Sequence, residues 1–599
     1  MDRPTIGWIG LGAMGGGMAS ALASQGFHIK TFDVWKPSLD AAGKAGAIIV
    51  DSPASAATGV QVLALMVVNA AQVEDLLFGS GGVAEVLEPG SSIVCFSTVP
   101  PTFLVTIKNR LDALEKGIGL CDSPVSGGST RAAQGTLSIM VSGRSQAISR
   151  ARPLLDAVTC QPEGKLAVVG EDVGTASNFK LINQVFCAIQ IAAPSEAMAF
   201  GKALGLNPRL LYKVIRTASG DSFMFGHRTP WMLRDDGIPK SAMTIIAKDI
   251  GIVMDDARMN AFPAPLCSMV EQVYTAALGA GMNREDDGLL IRMWQFFGGQ
   301  SVQESGTEEE EEENAKELTV SSETRPSQVL VVGLGAMGFG IAKAIQSAGI
   351  KVIGNDVDVA AIDRFSASGG STTSDVNGPA LPANSTIVVM STIAPSSAIA
   401  FQSRLDAQGR GLQVVDAPVS GGPTRAVSGD LAVFASGSTA GLKAADAVLR
   451  AVSLTSGSTQ NLHYIPGGVG SGSKVKIVNN LLAGIHLCAA AEALALARKK
   501  NMDLRQVFEI VSKGAGSSYV MIDRIPRMWM KDPPVMSATE TFVKDLGIAL
   551  AEGKRTNTPL WLAAAAHQQF IRAVAHGWGR EDDSCVGRLW EPMGISVVL

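Results

Sequence analysis

Histidine is scarce, with six in 599 residues, which leaves little room for a chemistry built on imidazole. Cysteine is sparse and scattered: Cys95, Cys121, Cys160, Cys187, Cys267, Cys488 and Cys585 contain no C-x-x-C spacing. That dispersal argues against a zinc cage or a disulfide framework and fits a reducing compartment. A basic excess is missing too, since Lys+Arg 50 against Asp+Glu 55 leave a formal net charge of −5. Nucleic-acid and anionic-lipid partners are therefore not expected. No uninterrupted apolar run reaches the ~18 residues of a membrane span. Met1 to Gly7 runs straight into a strand-like segment without room for a signal peptide, and Ile595 to Leu599 matches no retention or peroxisomal signal. A cytoplasmic location is the expectation. H-E-x-x-H, clustered Cys/His and G-x-S-x-G are all absent, so metal-dependent hydrolysis and serine acyl transfer drop out and no metal ligands are assigned.

What is present is a hydrophobic fraction of 46%, enough for several cores, and a pattern that occurs twice. Gly10-Leu11-Gly12-Ala13-Met14-Gly15 recurs as Gly333-Leu334-Gly335-Ala336-Met337-Gly338. Asp122-Ser-Pro-Val-Ser126-Gly127-Gly128 recurs as Asp416-Ala-Pro-Val-Ser420-Gly421-Gly422. Lys180-Leu-Ile-Asn183-Gln184 recurs as Lys476-Ile-Val-Asn479-Asn480, and Lys248-Asp249 as Lys544-Asp545. The period is domain-sized, so this is a duplicated unit and not a solenoid. Within each copy, short apolar strands first alternate with helical stretches. From Gly174 onward long Ala/Leu/Met-rich segments such as Ala188 to Leu204 and Ile245 to Arg258 read as buried helices. The expected fold class is α/β plus all-α, with a doubly wound nucleotide-type domain followed by a helical domain in each copy. The expected boundaries are 1–168 and 169–298 for copy one, and 328–464 and 465–599 for copy two. Residues 299–327, with six consecutive glutamates from Glu308 to Glu313, read as a solvated linker.

The strand Thr5 to Ile9 feeds directly into the glycines, and a helix follows from Met18 to Ser24. In that setting Gly10 permits the tight turn, Gly12 lets the backbone approach a pyrophosphate, and Gly15 allows close helix–sheet packing. Asp33 falls 23 residues after Gly10, and Asp356 falls 23 after Gly333. A carboxylate there accepts from the ribose hydroxyls and repels a 2′-phosphate, so NAD is expected, with NADP as the alternative. Ser126-Gly127-Gly128 follows a strand and offers backbone N–H groups and a hydroxyl to an anion; taken alone it also reads as an ordinary turn. Lys180 shares a helix face with Asn183 and Gln184. Desolvation would lower the pKa of such a lysine toward general-base values, against the alternative of a snorkelling surface side chain.

These residues resemble the β-hydroxyacid dehydrogenases, once per copy and over nearly the whole chain. The motifs that carry the likeness are Gly10 to Gly15, Asp122 to Gly128, Gly174 with Lys180-x-x-Asn183, and Lys248-Asp249. The resemblance implies a Rossmann domain followed by a helical domain of the 6-phosphogluconate dehydrogenase type. It implies Lys180 and Lys476 as catalytic acid and base. Substrate binding would fall to Ser126, Gly127, Gly128, Asn183 and Gln184, and to Ser420, Gly421, Gly422, Asn479 and Asn480. Cofactor binding would fall to Gly10, Leu11, Gly12, Ala13, Met14, Gly15, Asp33, Val68, Asn69, Ser97, Thr98 and Lys248. Its counterparts in copy two would be Gly333, Gly335, Met337, Gly338, Asp356, Thr392 and Lys544. The Lys-x-x-His-Asn of 6-phosphogluconate dehydrogenase is absent. Ala132-Ala-Gln-Gly-Thr-Leu137 and Ala483-Gly-Ile-His486 look nearest to the L-threonate dehydrogenase-like branch, with which Gln184 is compatible. The expectation is an NAD-dependent dehydrogenase of a small hydroxy acid, either a four-carbon sugar acid or a 3-hydroxy acid. Its helical domains would pair within the chain as a pseudo-dimer or between chains. The alternatives are a catalytically weak nucleotide-binding scaffold and a reductase of a semialdehyde.

The copies are unequal. Asp33 to Ser97 spans 64 positions and Asp356 to Ser391 only 35, so copy two lacks 29 residues near Thr58 to Val86. That stretch holds the strand read over Val62 to Val68 and the helix after it. Its loss is expected to expose apolar sheet and to weaken the second nucleotide crevice.

Overall fold

The computed structural model describes residues 4–160, 162, 164–234, 241–303, 320, 325–373, 381–453 and 461–599. Glu308 to Glu313 lie outside the described residues.

Copy one builds a nine-stranded sheet from β1 (Ile6–Ile9), β2 (Ile29–Phe32), β3 (Ile48–Ile49), β4 (Val62–Leu65), β5 (Ser92–Cys95), β6 (Gly119–Asp122), β7 (Val125–Ser126), β8 (Ser138–Ser142) and β9 (Lys165–Gly170). Its order is β3-β2-β1-β4-β5-β6-β8-β7, with β9 on β8. The strands from β3 to β6 run parallel, and β6 and β7 meet β8 antiparallel. Parallel strands are covered on both faces, which is why β1, β4 and β5 are buried at every position. Alternate residues serve opposite faces. Ile6, Trp8, Val62 and Ala64 join one core, whereas Ile9, Leu63 and Leu65 join the other.

Some expected boundaries shift. The helix after the glycines begins at Gly15, because the chain has already turned there. β4 stops at Leu65, short of Val68, where the chain leaves the sheet toward the N-cap Asn69. The short strands β3 and β7 and the half-exposed β9 carry too little alternation to be read in advance. Parts of the expected linker are seated: Val302 and Val320 are buried, and the Val320 carbonyl accepts from Arg450.

Copy two builds β10 (Gln328–Val332), β11 (Lys351–Asn355), β12 (Ser371–Thr372), β13 (Thr386–Val389), β14 (Gln413–Asp416), β15 (Val419–Ser420), β16 (Ala432–Gly437) and β17 (Leu462–Tyr464). Here the sheet is in two pieces, β10-β11-β12 and β13-β14-β16-β15 with β17 on β16. Among the described residues no strand stands where β4 joins β1 to β5. The consequence is exposure: Leu330 and Val332 of β10 are 42% and 61% exposed, where β1 is fully buried.

The helical parts are dominated by two 29-residue helices, Thr175–Ala203 and Ser471–Lys499. By length and composition alone Ser471–Lys499 could cross a membrane, although no uninterrupted run signalled it; its apolar stretch is entirely buried in the fold.

The chain divides into two compact units, and each draws on both copies. One comprises 1–188, 237–287 and 492–517; the other comprises 189–236, 288–491 and 518–599. In the first unit the Glu492 carboxylate accepts from Leu266 N (2.6 Å) and Cys267 N (3.1 Å), at the start of the helix Pro265–Gly279. Lys500 pairs there with Asp256 at 2.6 Å. In the second unit Glu196 accepts from Leu562 N and Ala563 N, both at 2.9 Å, at the start of the helix Trp561–Ala575. Each carboxylate thus satisfies orphan N–H groups of a helix belonging to the other copy, and helix dipoles favour that sign of charge.

Candidate active site

In the first unit the glycine turn is held by Asp33. One carboxylate oxygen accepts from Leu11 N at 2.5 Å and the other from Trp35 N at 2.7 Å, which ties the ends of β1 and β2 together. Gly10 has φ +98°, and a Cβ there would collide with the carbonyl of Met66 just past β4. A Cβ at Gly12 would meet nothing within 4 Å, so that face of the turn is open to a ligand. A narrow turn with one open face beside a helix N-terminus fits a dinucleotide pyrophosphate. Further along the rim, Ser97 Oγ accepts from Val67 N (2.9 Å), and Val68 is half exposed. The Asn69 oxygen caps the helix Ala70–Phe78 through Gln72 N.

Asp122 ends β6 fully buried. It accepts from Gly174 N (3.0 Å), Ser177 N (2.8 Å) and Ser177 Oγ (2.7 Å). Burial pushes its carboxyl up to about 6, and the hydrogen bonds from Ser177 and Gly174 oppose that rise. These bonds fasten the first turn of the helix Thr175–Ala203 to the strand end just before Ser126-Gly127-Gly128. Asp416 repeats the arrangement with Gly470, Ser473 N and Ser473 Oγ. The anchoring role of Asp122 was not readable from the motif, because its partners lie more than 50 residues away.

Lys180 lies inside that helix, not at its opening, and its side chain is buried. Among the described residues its amine has no hydrogen-bond or ion-pair partner. Burial lowers its pKa from the usual lysine value, Cys187 and Asp249 oppose the shift, and Lys248 adds to it. Lys476 is also buried, and desolvation brings it down to about 8 against the opposing pull of Asp545. One turn on, Gln184 donates to Asp249, and Asn480 donates to Asp545 at 2.6 Å. Asp249 pairs with Lys248 (2.7 Å), whose amine donates to the Thr98 carbonyl (2.8 Å). Lys544 repeats this with Asp545 (2.8 Å) and Thr392 (2.9 Å). Asn183 donates to Gln184 (3.0 Å) and to Cys187 Sγ (3.2 Å), and it accepts from Gly516 N (3.2 Å). Gly516 comes from the other copy. A Cβ at Gly516 would crowd Val511, Phe186 and the Asn183 oxygen, so glycine is needed for the approach. The signal for this contributor lay in the repeat, where Gly220 and Gly516 share the 296-residue offset of the two lysines.

In the second unit Asp356 holds its turn in the same way, accepting from Leu334 N (2.5 Å) and Asp358 N (2.9 Å). Gly333 keeps φ +93°, yet a Cβ there would meet open space, because the wall that Met66 supplies to Gly10 is missing. Residues equivalent to Val68 and Asn69 do not exist in copy two.

A Rossmann-like nucleotide domain joined through a buried lysine helix to an all-helical domain defines an NAD(P)-dependent oxidoreductase acting on CH–OH groups. The chain belongs to the β-hydroxyacid dehydrogenase family. The model described as the NAD binding domain of 6-phosphogluconate dehydrogenase matches residues 5–170 and 376–460. The model described as NAD-binding of NADP-dependent 3-hydroxyisobutyrate dehydrogenase matches 174–294 and 470–590. In copy two the first match starts only after the nucleotide turn. The chain is 40% identical over 289 residues to the L-threonate dehydrogenase of Cupriavidus necator, spanning 48% of this chain and 95% of that one. It is 30% identical over 302 residues to the NAD-dependent L-serine dehydrogenase of Pseudomonas aeruginosa, spanning 49% and 99%. A solved 3-hydroxyisobutyrate dehydrogenase from Salmonella typhimurium is 35% identical, with 49% of this chain and 100% of that chain covered and a TM-score of 0.45.

Proposed function

We propose that the chain oxidises a small hydroxy acid of the four-carbon sugar-acid class with NAD, and that copy one carries most of the turnover. The observation that carries the reading is Lys180, a buried amine on a helix face, with no ion-pair partner among the described residues, beside Asn183 and Gln184. A neutral amine there accepts the proton of the substrate hydroxyl. The bound nicotinamide supplies the hydride acceptor. Ser126 and the N–H groups of Gly127 and Gly128 bind the substrate carboxylate, while Asn183 and Gln184 orient its hydroxyls. Gly10 to Gly15, Asp33, Val68, Asn69, Ser97 and Thr98 line the dinucleotide, and Lys248 braces the Thr98 loop from the helical side. Asp33 disfavours a 2′-phosphate, which supports NAD over NADP. The similarity to L-threonate dehydrogenases supports a four-carbon acid. Among the described residues no cysteine forms a disulfide, which supports a reducing, cytoplasmic setting.

Copy two keeps Lys476, Asn479 and Asn480 on a split sheet, which supports a weaker second cofactor site at Gly333, Gly335, Met337, Gly338, Asp356, Thr392 and Lys544. The test is NADH formation at 340 nm over a panel of C3–C6 hydroxy acids, run on the full chain and on its Lys180→Ala and Lys476→Ala variants. Turnover of a C4 acid that survives Lys476→Ala and is lost with Lys180→Ala is the expected result. Absence of turnover throughout the panel, with NAD bound tightly, overturns the reading in favour of a scaffold.

A further inference from the structure

The two substrate loops have the same backbone. Gly127 and Gly421 both have φ +140°, and Gly128 and Gly422 have φ +73° and +74°. What differs is the residue that the other copy presents to each of them. In the second unit Ser219, from copy one, sits on the second site's substrate groups. Its N–H donates to Ser420 Oγ at 3.2 Å, and the two hydroxyls share a hydrogen bond at 2.9 Å. Asn479 Nδ2 donates to Ser219 Oγ at 3.0 Å, and Gly220 N donates to Asn479 Oδ1 at 2.8 Å. In the first unit Gly516 makes the bond to Asn183 that corresponds to that of Gly220. The residue before it is Ala515, which has no hydroxyl. Among the described residues the Ser126 hydroxyl has no hydrogen-bond partner, so it remains available.

We infer that Ser219 sets the substrate affinity of the second site, holding Ser420 and Asn479 in internal hydrogen bonds that a hydroxy acid must displace, whereas Ala515 leaves the first site open. The inference rests on the substrate roles proposed above for Ser126, Asn183, Ser420 and Asn479. A carboxylate entering the first site meets an unengaged hydroxyl. The same carboxylate entering the second site trades one set of hydrogen bonds for another, and the exchange costs affinity. Because the bonds are made to substrate-holding groups and not to Lys476, the penalty falls on binding and not on proton transfer.

The test transplants the difference within the full-length chain. Ala515→Ser is expected to raise the KM for the hydroxy acid about fivefold to tenfold, the weight of roughly one competing neutral hydrogen bond, with kcat and the KM for NAD within about twofold. In the reverse direction, Ser219→Ala in a Lys180→Ala, Lys476→Ala background is expected to tighten the weaker of the two acid-binding phases, followed by calorimetry on the NAD-saturated protein. This second variant replaces a larger residue by a smaller one and stands as the test if Ala515→Ser does not fold. Turnover by the wild type with an unchanged KM in Ala515→Ser, or an unchanged acid affinity in Ser219→Ala, overturns the role of Ser219 and leaves the proposed function standing. A wild type that neither binds nor turns over any acid of the panel overturns both.

Discussion

Lys180 and Lys476 occupy matching places, yet the titratable groups that act on them differ by one. Cys187 opposes the fall of the Lys180 pKa, and the corresponding Ala483 cannot. Burial lowers both amines, so part of each population is neutral in a range where an exposed lysine is fully charged. A base must be unprotonated to accept a proton. The kcat/KM for oxidation should therefore rise with pH and level off at an apparent pKa below the usual lysine value. A pH–rate profile checks this, and a rise that continues through pH 10.4 would exclude a desolvated lysine. Lys180→Ala should keep the fold and NAD binding while kcat falls ~10²–10⁴-fold. Lys180→Arg should not rescue it, because guanidinium stays protonated; steady-state kinetics with near-wild-type turnover in the Arg variant would remove the base from Lys180.

At the scale of elements, the absence of a counterpart to β4 explains most of the difference between the copies. In copy one β4 joins β1 to β5, buries both and presents Met66 to the nucleotide turn. Without it copy two keeps the turn but loses a wall, and apolar residues of β10 face outward. Helix ends carry the opposite lesson. Glu196 is buried, and desolvation raises its carboxyl to about 7 even though Leu562 N and Ala563 N favour the charged form. An acid whose folded pKa lies above its unfolded value of about 4.3 adds stability at low pH, and that stability is lost as pH rises through the folded pKa. Relative to Glu196→Gln, the wild type should lose ground in Tm between about pH 4.3 and about pH 7, as followed by calorimetry. A pH-independent difference would mean that Glu196 stays ionised throughout.

For the whole molecule, the unit of folding is not the unit of duplication. Each compact unit takes helices from both copies, so residues 1–305 lack Glu492, Lys500 and Gly516, which the first unit contains. Expressed alone, this half should self-associate into a dimer in which a second copy of the fragment supplies Glu196 and Gly220 at those places. Sedimentation should then show a dimer. Because such a dimer brings Ser219, in place of Ala515, to the first site, its KM for the acid should rise as it does in Ala515→Ser. A monomeric fragment with wild-type kinetics would contradict both expectations.

Local geometry was legible in the residues themselves. A glycine turn after a strand, an acid 23 positions on, and a lysine one turn before two amides are short-range patterns, and short-range sterics and helix periodicity determine their geometry. The duplication and the missing 29 residues were equally legible, since they are counts along a chain. Tertiary structure alone decided which copy completes which site. Ser219 reaches Ser420 across 201 positions, and Gly516 reaches Asn183 across 333. Nothing in the spacing between those residues distinguishes an exchange between copies from a closure within one. That choice follows from which helix ends Glu196 and Glu492 satisfy, a matter of burying orphan N–H groups in three dimensions.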